Sequence, residues 1–111
     1  MELLPNHSLA VFDIKKLTEY ALNNDHPIEM QKATAFRKAL GIDRSDASWL
    51  RGQILMEIGR AEAVEVDSSP FGRRFYVDCT LTKNGKYAIV RTAWIIRAGI
   101  QIPFLTSCYP I

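Results

Sequence analysis

The sequence predicts an α+β domain in which three N-terminal helices pack on a four-stranded antiparallel meander. Three observations carry that prediction. Asn84-Gly85 lies between two stretches rich in aromatic and β-branched residues. It is a strong hairpin signal, because a two-residue type I′ turn needs φ > 0 at both positions. Residues 13–60 carry apolar side chains at helical spacing, whereas residues 61–111 carry strand-like runs separated by turn residues.

In chain order, residues 1–12 form a lead-in, since Pro5 and Asn6 oppose a helix, and Leu9, Val11 and Phe12 are expected to cover an edge of the core. Asp13 is an expected N-cap. A first helix is predicted from about Ile14 to Leu22, with Ile14, Leu17 and Ala21 on one face. Asn23-Asn24-Asp25-His26-Pro27 breaks it, and Pro27, suited to a first helical position, opens a second helix to Leu40. Ala33, Phe36 and Leu40 form its stripe, and Gly41 its stop. Asp43 or Ser45 caps a third helix, about Asp46 to Arg60, whose core face is Leu50, Ile54, Ile58 and Ala61.

Residues 62–67 are predicted as the first strand, an edge marked by Glu62 and Glu65, with Val64 and Val66 pointing inward. The hairpin follows. A two-residue turn puts Lys83 opposite Lys86, Asp78 opposite Arg91, Val77 opposite Thr92 and Phe75 opposite Trp94. Alternation then gives one face to Phe75, Val77, Cys79, Leu81, Val90, Thr92 and Trp94, the expected core. The other face carries Tyr76, Asp78, Ile89, Arg91 and Ile95. After a loop containing Gly99, a last strand is predicted from about Phe104 to Tyr109. Setting Arg97 opposite Pro103 places Arg91 beside Tyr109 and Ala93 beside Ser107.

At 111 residues the chain is long enough for one core and is read as a single domain. Its net charge of +2 is compatible with nucleic acid without requiring it. No apolar run approaches the ~18 residues of a membrane span. MELLPNHSLAVF lacks the basic and apolar regions of a signal peptide, so the expected location is cytoplasmic. Cys79 and Cys108 form no metal-binding spacing. They fall on strands two apart, ~9–10 Å between backbones and beyond disulfide reach, so both are expected to be free thiols. There is no GxGxxG, Walker loop, HExxH or CxxC, and no cofactor or metal is expected.

Two groups of residues could carry chemistry. His26 stands in a polar loop before a helix, and a histidine titrates near working pH. Lys32 borders the apolar stripe of its helix and could reach over the sheet edge. Asp78 and Arg91 form either a structural cross-strand pair or a phosphate site, with Tyr109 on the same face able to stack a base.

KLTEYALNNDHP (16–27), KATAFRKALGI (32–42), FGRRFYVDCTL (71–81), VRTAWIIR (90–97) and LTSCY (105–109) together resemble an uncharacterised bacterial domain family. Its members occur as small stand-alone proteins and as C-terminal domains of polymorphic toxins. The order of helices then strands is similar to the barnase, colicin D and RelE group of metal-independent ribonucleases. The resemblance implies RNA cleavage by 2′-OH transesterification, with His26, Lys32 and Thr92-Ala93-Trp94 matching the residues that colicin-D-like enzymes use. Joined to the strand-pairing reading, it makes His26, Lys32, Arg91 and Thr92 the expected catalytic residues and places Trp94, Tyr109 and Asp78 at the substrate. It implies a cognate immunity protein or antitoxin as partner. A non-catalytic protein-interaction module remains the alternative, and a homodimer through the open face is a third. A colicin-D-like and a barnase-like scheme place the site on opposite sheet faces, Thr92 and Trp94 against Asp78 and Arg91, and the sequence leaves that choice open.

Overall fold

The computed structural model describes residues 1–111. Asn84 (φ 57°) and Gly85 (φ 71°) both adopt the left-handed conformation that the type I′ turn requires. The turn pairs β2 (Gly72–Lys83) with β3 (Lys86–Arg97) without a shift, so Asp78 faces Arg91 and Phe75 faces Trp94 as expected. Asn84 also anchors the turn, its Nδ2 donating to the Leu40 and Gly41 carbonyls at 2.8 and 3.2 Å. β1 (Ala63–Ser69) pairs with β2, and β4 (Phe104–Pro110) with β3, giving an antiparallel sheet of order β1-β2-β3-β4.

Bulges modify both outer strands. In β4, Arg91 faces Tyr109 and Ala93 faces Ser107, but the register then slips so that Trp94 faces Leu105 and Ile95 faces Phe104. The expected Arg97–Pro103 pairing is displaced accordingly. The slip lets Leu105 and Cys108, an odd number of residues apart, both reach the core. In β1 the expectation for the valines is overturned. Ala63 pairs with Val77 and Val64 with Tyr76, so it is Ala63 that shares the core face, and the register shifts between Glu65 and Asp67. Val64 and Val66 are 54% and 42% exposed.

The three expected helices become two α-helices and a shorter π-helical turn. The first segment, Lys16–Ala21, is π-helical, and the Leu22 N–H reaches back to the Leu17 carbonyl at 2.8 Å. Helix α1 is Met30–Leu40, starting after Pro27-Ile28-Glu29 rather than at Pro27, and Gly41 (φ 67°) ends it as expected. Helix α2 is Ala47–Glu57, preceded by a 3-10 turn at Arg44–Asp46. Asp43 is the cap: its carboxylate accepts from Ser45 N while Asp46 accepts from Asp43 N, a reciprocal capping box.

Phe36 and Leu40 of α1, Leu50 and Ile54 of α2, and Leu17 of the π turn bury against Phe75, Val77, Leu81, Val90 and Trp94. The core face is therefore the expected one, and Ile96 joins it. The lead-in contributes more than was expected. Leu4 and Phe12 are buried, and Phe12 meets Trp94 edge to face at 6.3 Å. Val11 forms a parallel bridge to Phe104, which covers the start of the β4 edge. Leu9, also expected to cover an edge, is exposed. No helix is long and apolar enough to cross a membrane.

Candidate functional site at the β4 edge and the open sheet face

Because the helices cover one face of the sheet, the other is left to solvent, and Arg91 stands at its centre. Its Nε and one Nη donate to the two carboxylate oxygens of Asp78 at 2.9 and 3.1 Å, a bidentate pair. The guanidinium also lies 4.7 Å from the Tyr76 ring centroid. Asp78 and, to a smaller extent, the Tyr109 phenol raise the Arg91 pKa above its already high value, so the charge is permanent. Two of the five guanidinium N–H groups are spent on Asp78 and three remain. The ion pair and an anion-binding role are thus compatible.

Next to this strip, the π turn and the start of α1 wrap around β4 and leave a cleft of about 220 Å³ against its edge. Lys16 and Tyr20 come from the π turn, Glu29 and Lys32 from the start of α1, and Thr106 and Ser107 from β4. Lys32 leaves α1 one turn in, and its ammonium makes two contacts. It lies 2.8 Å from Glu29 Oε2 and 5.5 Å from the centroid of the Tyr109 ring. The expectation that Lys32 reaches over the sheet edge is met. Tyr109 carries Lys32 over its ring and is the cross-strand neighbour of Arg91, so a row Lys32–Tyr109–Arg91 runs from the edge onto the open face. Glu29 Oε2 is shut off from water, and its contact with Lys32 lacks hydrogen-bond alignment.

His26 lies behind the cleft rather than in its lining. Its Nδ1 accepts from the backbone N–H groups of Ile28 and Glu29 at 3.0 and 2.9 Å. A neutral ring that accepts at Nδ1 carries its proton on Nε2. The ring packs 5.2 Å from Tyr20, which carries Lys16 on its own ring at 5.8 Å. His26 therefore ties the π turn to the start of α1 and supplies the N–H acceptor that Pro27 and Ile28 cannot.

Of the residues singled out from sequence, Lys32, Tyr109, Arg91 and Asp78 come together on one surface, with His26 supporting it. Thr92 and Trp94 do not join them, which corrects their expected contact with substrate. Thr92 is 0% and Trp94 1% exposed. The Thr92 hydroxyl donates to the Val77 carbonyl at 2.7 Å and accepts from Trp94 Nε1 at 2.8 Å, so its bonding is internal. Cys79 and Cys108 are buried and unlinked, and burial pushes each thiol up to about 12.

Sequence reasoning passed over Glu29, Lys16 and Tyr20. A signal for Glu29 was present, since an acid three residues before Lys32 at a helix start is a side-chain pair. Lys16 and Tyr20 stand four apart, the other spacing at which helical side chains meet. No group of three or more His, Cys, Asp and Glu side chains gathers as a metal-binding set.

No curated protein and no solved structure matches the chain. Residues 3–111 match one family model, so the match spans nearly the whole fold described above, lead-in included. The chain belongs to the family described as a domain of unknown function, DUF6883.

Proposed function

We propose that this domain is a metal-independent endoribonuclease of the toxin type, cleaving RNA by transesterification. The ribose 2′-OH attacks the adjacent phosphate, the 5′-oxygen leaves, and a 2′,3′-cyclic phosphate remains. A base must take the 2′ proton, an acid must supply the leaving oxygen, and cations must stabilise the phosphorane. Positioned acid–base groups contribute ~10²–10⁴-fold, and fixed charges act most strongly where water is excluded. The observation that carries the reading is the row Lys32–Tyr109–Arg91, two cations flanking an aromatic ring on one open surface. Two cations on one surface suit phosphates, and an aromatic ring in the same row suits a stacked base. The resemblance to polymorphic-toxin C-terminal domains supports it further. In this reading a cognate immunity protein or antitoxin covers the cationic row, and the target is cytoplasmic RNA.

His26 acts here as a positioning residue. Lys32 and Arg91 hold the phosphate, Tyr109 stacks, and Asp78 orients the guanidinium. The test is cleavage of bacterial RNA by the purified domain in chelator, with product ends identified as cyclic phosphates. Arg91→Lys keeps the charge and loses the fork, and should lower activity at least ~10-fold with unchanged melting. No cleavage by the wild type, or equal cleavage by the variant, removes the reading or Arg91's place in it, respectively.

The second reading is a protein-interaction module, favoured by β1. That strand is the free edge of the sheet and exposes Val64 and Val66. Growth after induced expression separates the two: an interaction module is tolerated, and a nuclease halts growth.

A further inference from the structure

We infer that Glu29 is the proton acceptor of this site and that Lys32 keeps it covered until an RNA phosphate arrives. The inference rests on the ribonuclease reading above and adds the base that reading lacks. Glu29 is the one carboxylate lining the β4-edge cleft. Its Oε2 is excluded from water, yet its sole close partner is the Lys32 ammonium at 2.8 Å, in a contact without hydrogen-bond alignment. A carboxylate has about four acceptor sites, so this oxygen keeps lone pairs unspent where buried polar groups ordinarily use them.

The surroundings hold the carboxylate in place. The Glu29 backbone N–H is fixed by His26 Nδ1 at 2.9 Å. Thr106 and Ser107 of β4 and Lys16 and Tyr20 of the π turn line the same cleft. At about 220 Å³ the cleft is smaller than sites that enclose a whole ligand, which run to ~300–1,000 Å³. It suits one ribose–phosphate unit of a strand that continues over Tyr109 to Arg91.

Lys32 already lies over Tyr109, on the path such a strand would take. A phosphate there competes with Glu29 for the ammonium. As Lys32 turns to the phosphate, Oε2 is uncovered beside the ribose. Glu29 then takes the 2′-OH proton while O2′ bonds to phosphorus. The P–O5′ bond breaks, and O5′ takes a proton from the Lys16 ammonium. Water returns that proton to Lys16 and removes the one on Glu29, so the ledger of protons closes.

The test compares wild type, Glu29→Gln and Glu29→Ala on a mixed-sequence oligoribonucleotide and on its 2′-deoxy counterpart, which binds without being cleaved. Glu29→Gln should lose ~100-fold or more in cleavage, the contribution of a general base, while binding of the deoxy strand is unchanged or tighter. Glu29→Ala opens space for a small acid, and added formate should restore part of its activity. Cleavage by Glu29→Gln at the wild-type rate overturns the inference and leaves the ribonuclease reading standing. Joint loss of cleavage and deoxy-strand binding, without formate rescue, reduces Glu29 to a support for Lys32 and overturns it too. A wild type that cleaves nothing brings down the ribonuclease reading itself, and this inference with it.

Discussion

Replacing His26 separates imidazole chemistry from architecture, provided two substitutions are compared. Alanine removes the acceptor of two backbone N–H bonds, from Ile28 and Glu29, at the start of α1. The site is only partly buried, so water replaces the lost acceptor in part. The cost is that of a lost helix-start cap, ~1 kcal/mol. For a domain of this size that lowers the melting temperature by about 4 °C. Asparagine behaves differently, because its Oδ1 is bonded to Cγ as the histidine Nδ1 is and can accept the same pair. His26→Asn should therefore melt within about 1 °C of wild type. If His26 only positions Glu29, the asparagine variant also keeps most of its RNA cleavage. The assay is a thermal melt and a cleavage rate for wild type and both variants. Asparagine and alanine melting equally low would refute the capping argument. A His26→Asn protein that melts normally but cleaves ~100-fold more slowly would return the imidazole to proton transfer. Loss of toxicity in His26→Ala alone decides nothing, since a frayed α1 start also displaces Glu29 and Lys32.

Other consequences can be measured directly. Thr92→Val keeps the shape but leaves the Trp94 indole N–H without its acceptor in the core. It should cost ~1–3 kcal/mol in urea unfolding with cleavage of RNA unaffected, and a cost near zero would contradict the geometry. Cys79 and Cys108, with thiols pushed up to about 12, should be silent to thiol reagents at pH 8 in the folded protein and react on denaturation. Fast labelling of the native state would show that they are accessible. Asp43 and Glu65 are held below their ordinary values of 3.8 and 4.5, by Ser45 hydrogen bonds and by Arg73 respectively. The stability they contribute is complete above those values and is lost as the pH falls through the lower folded-state ones. Asp43→Asn should accordingly flatten the acid limb of the stability curve, and an unchanged limb would mean that Asp43 is not its source.

The inner hairpin was legible because its information is local. Asn84-Gly85 sets the turn, the turn sets the register, and the register assigns every residue of β2 and β3 to a face. The outer strands lack such a pin. Val64 and Val66 look like an inward pair by alternation alone, but β1 takes its phase from its pairing with Val77 and Tyr76, and a bulge follows at once. The β4 bulge was visible in principle, since Leu105 and Cys108 cannot both face the core in an unbroken strand. The start of α1 was misread by three residues: His26 accepts the Ile28 and Glu29 N–H groups through a ring nitrogen and holds Pro27–Glu29 as a turn ahead of the helix, an acceptor outside the usual set of Ser, Thr, Asp and Asn.

The site was most legible where its parts lie on paired strands. Arg91 with Asp78, and Arg91 with Tyr109, follow from strand pairing, and both were read. The choice between faces needed burial, because a threonine beside a tryptophan reads equally well as an internal hydrogen bond or as an exposed site. Thr92 is buried and spends its hydroxyl on Val77 and Trp94. What periodicity does not contain is the path by which α1 crosses the β4 edge. That crossing brings Lys32 to Tyr109 and puts Glu29 against Ser107. The middle of the sheet offers only the paired Asp78, and the carboxylate that the proposed mechanism uses, Glu29, sits at the rim just before the start of a helix. There one wall is strand and the other is helix, and the same lysine can serve the acid at rest and a phosphate in use.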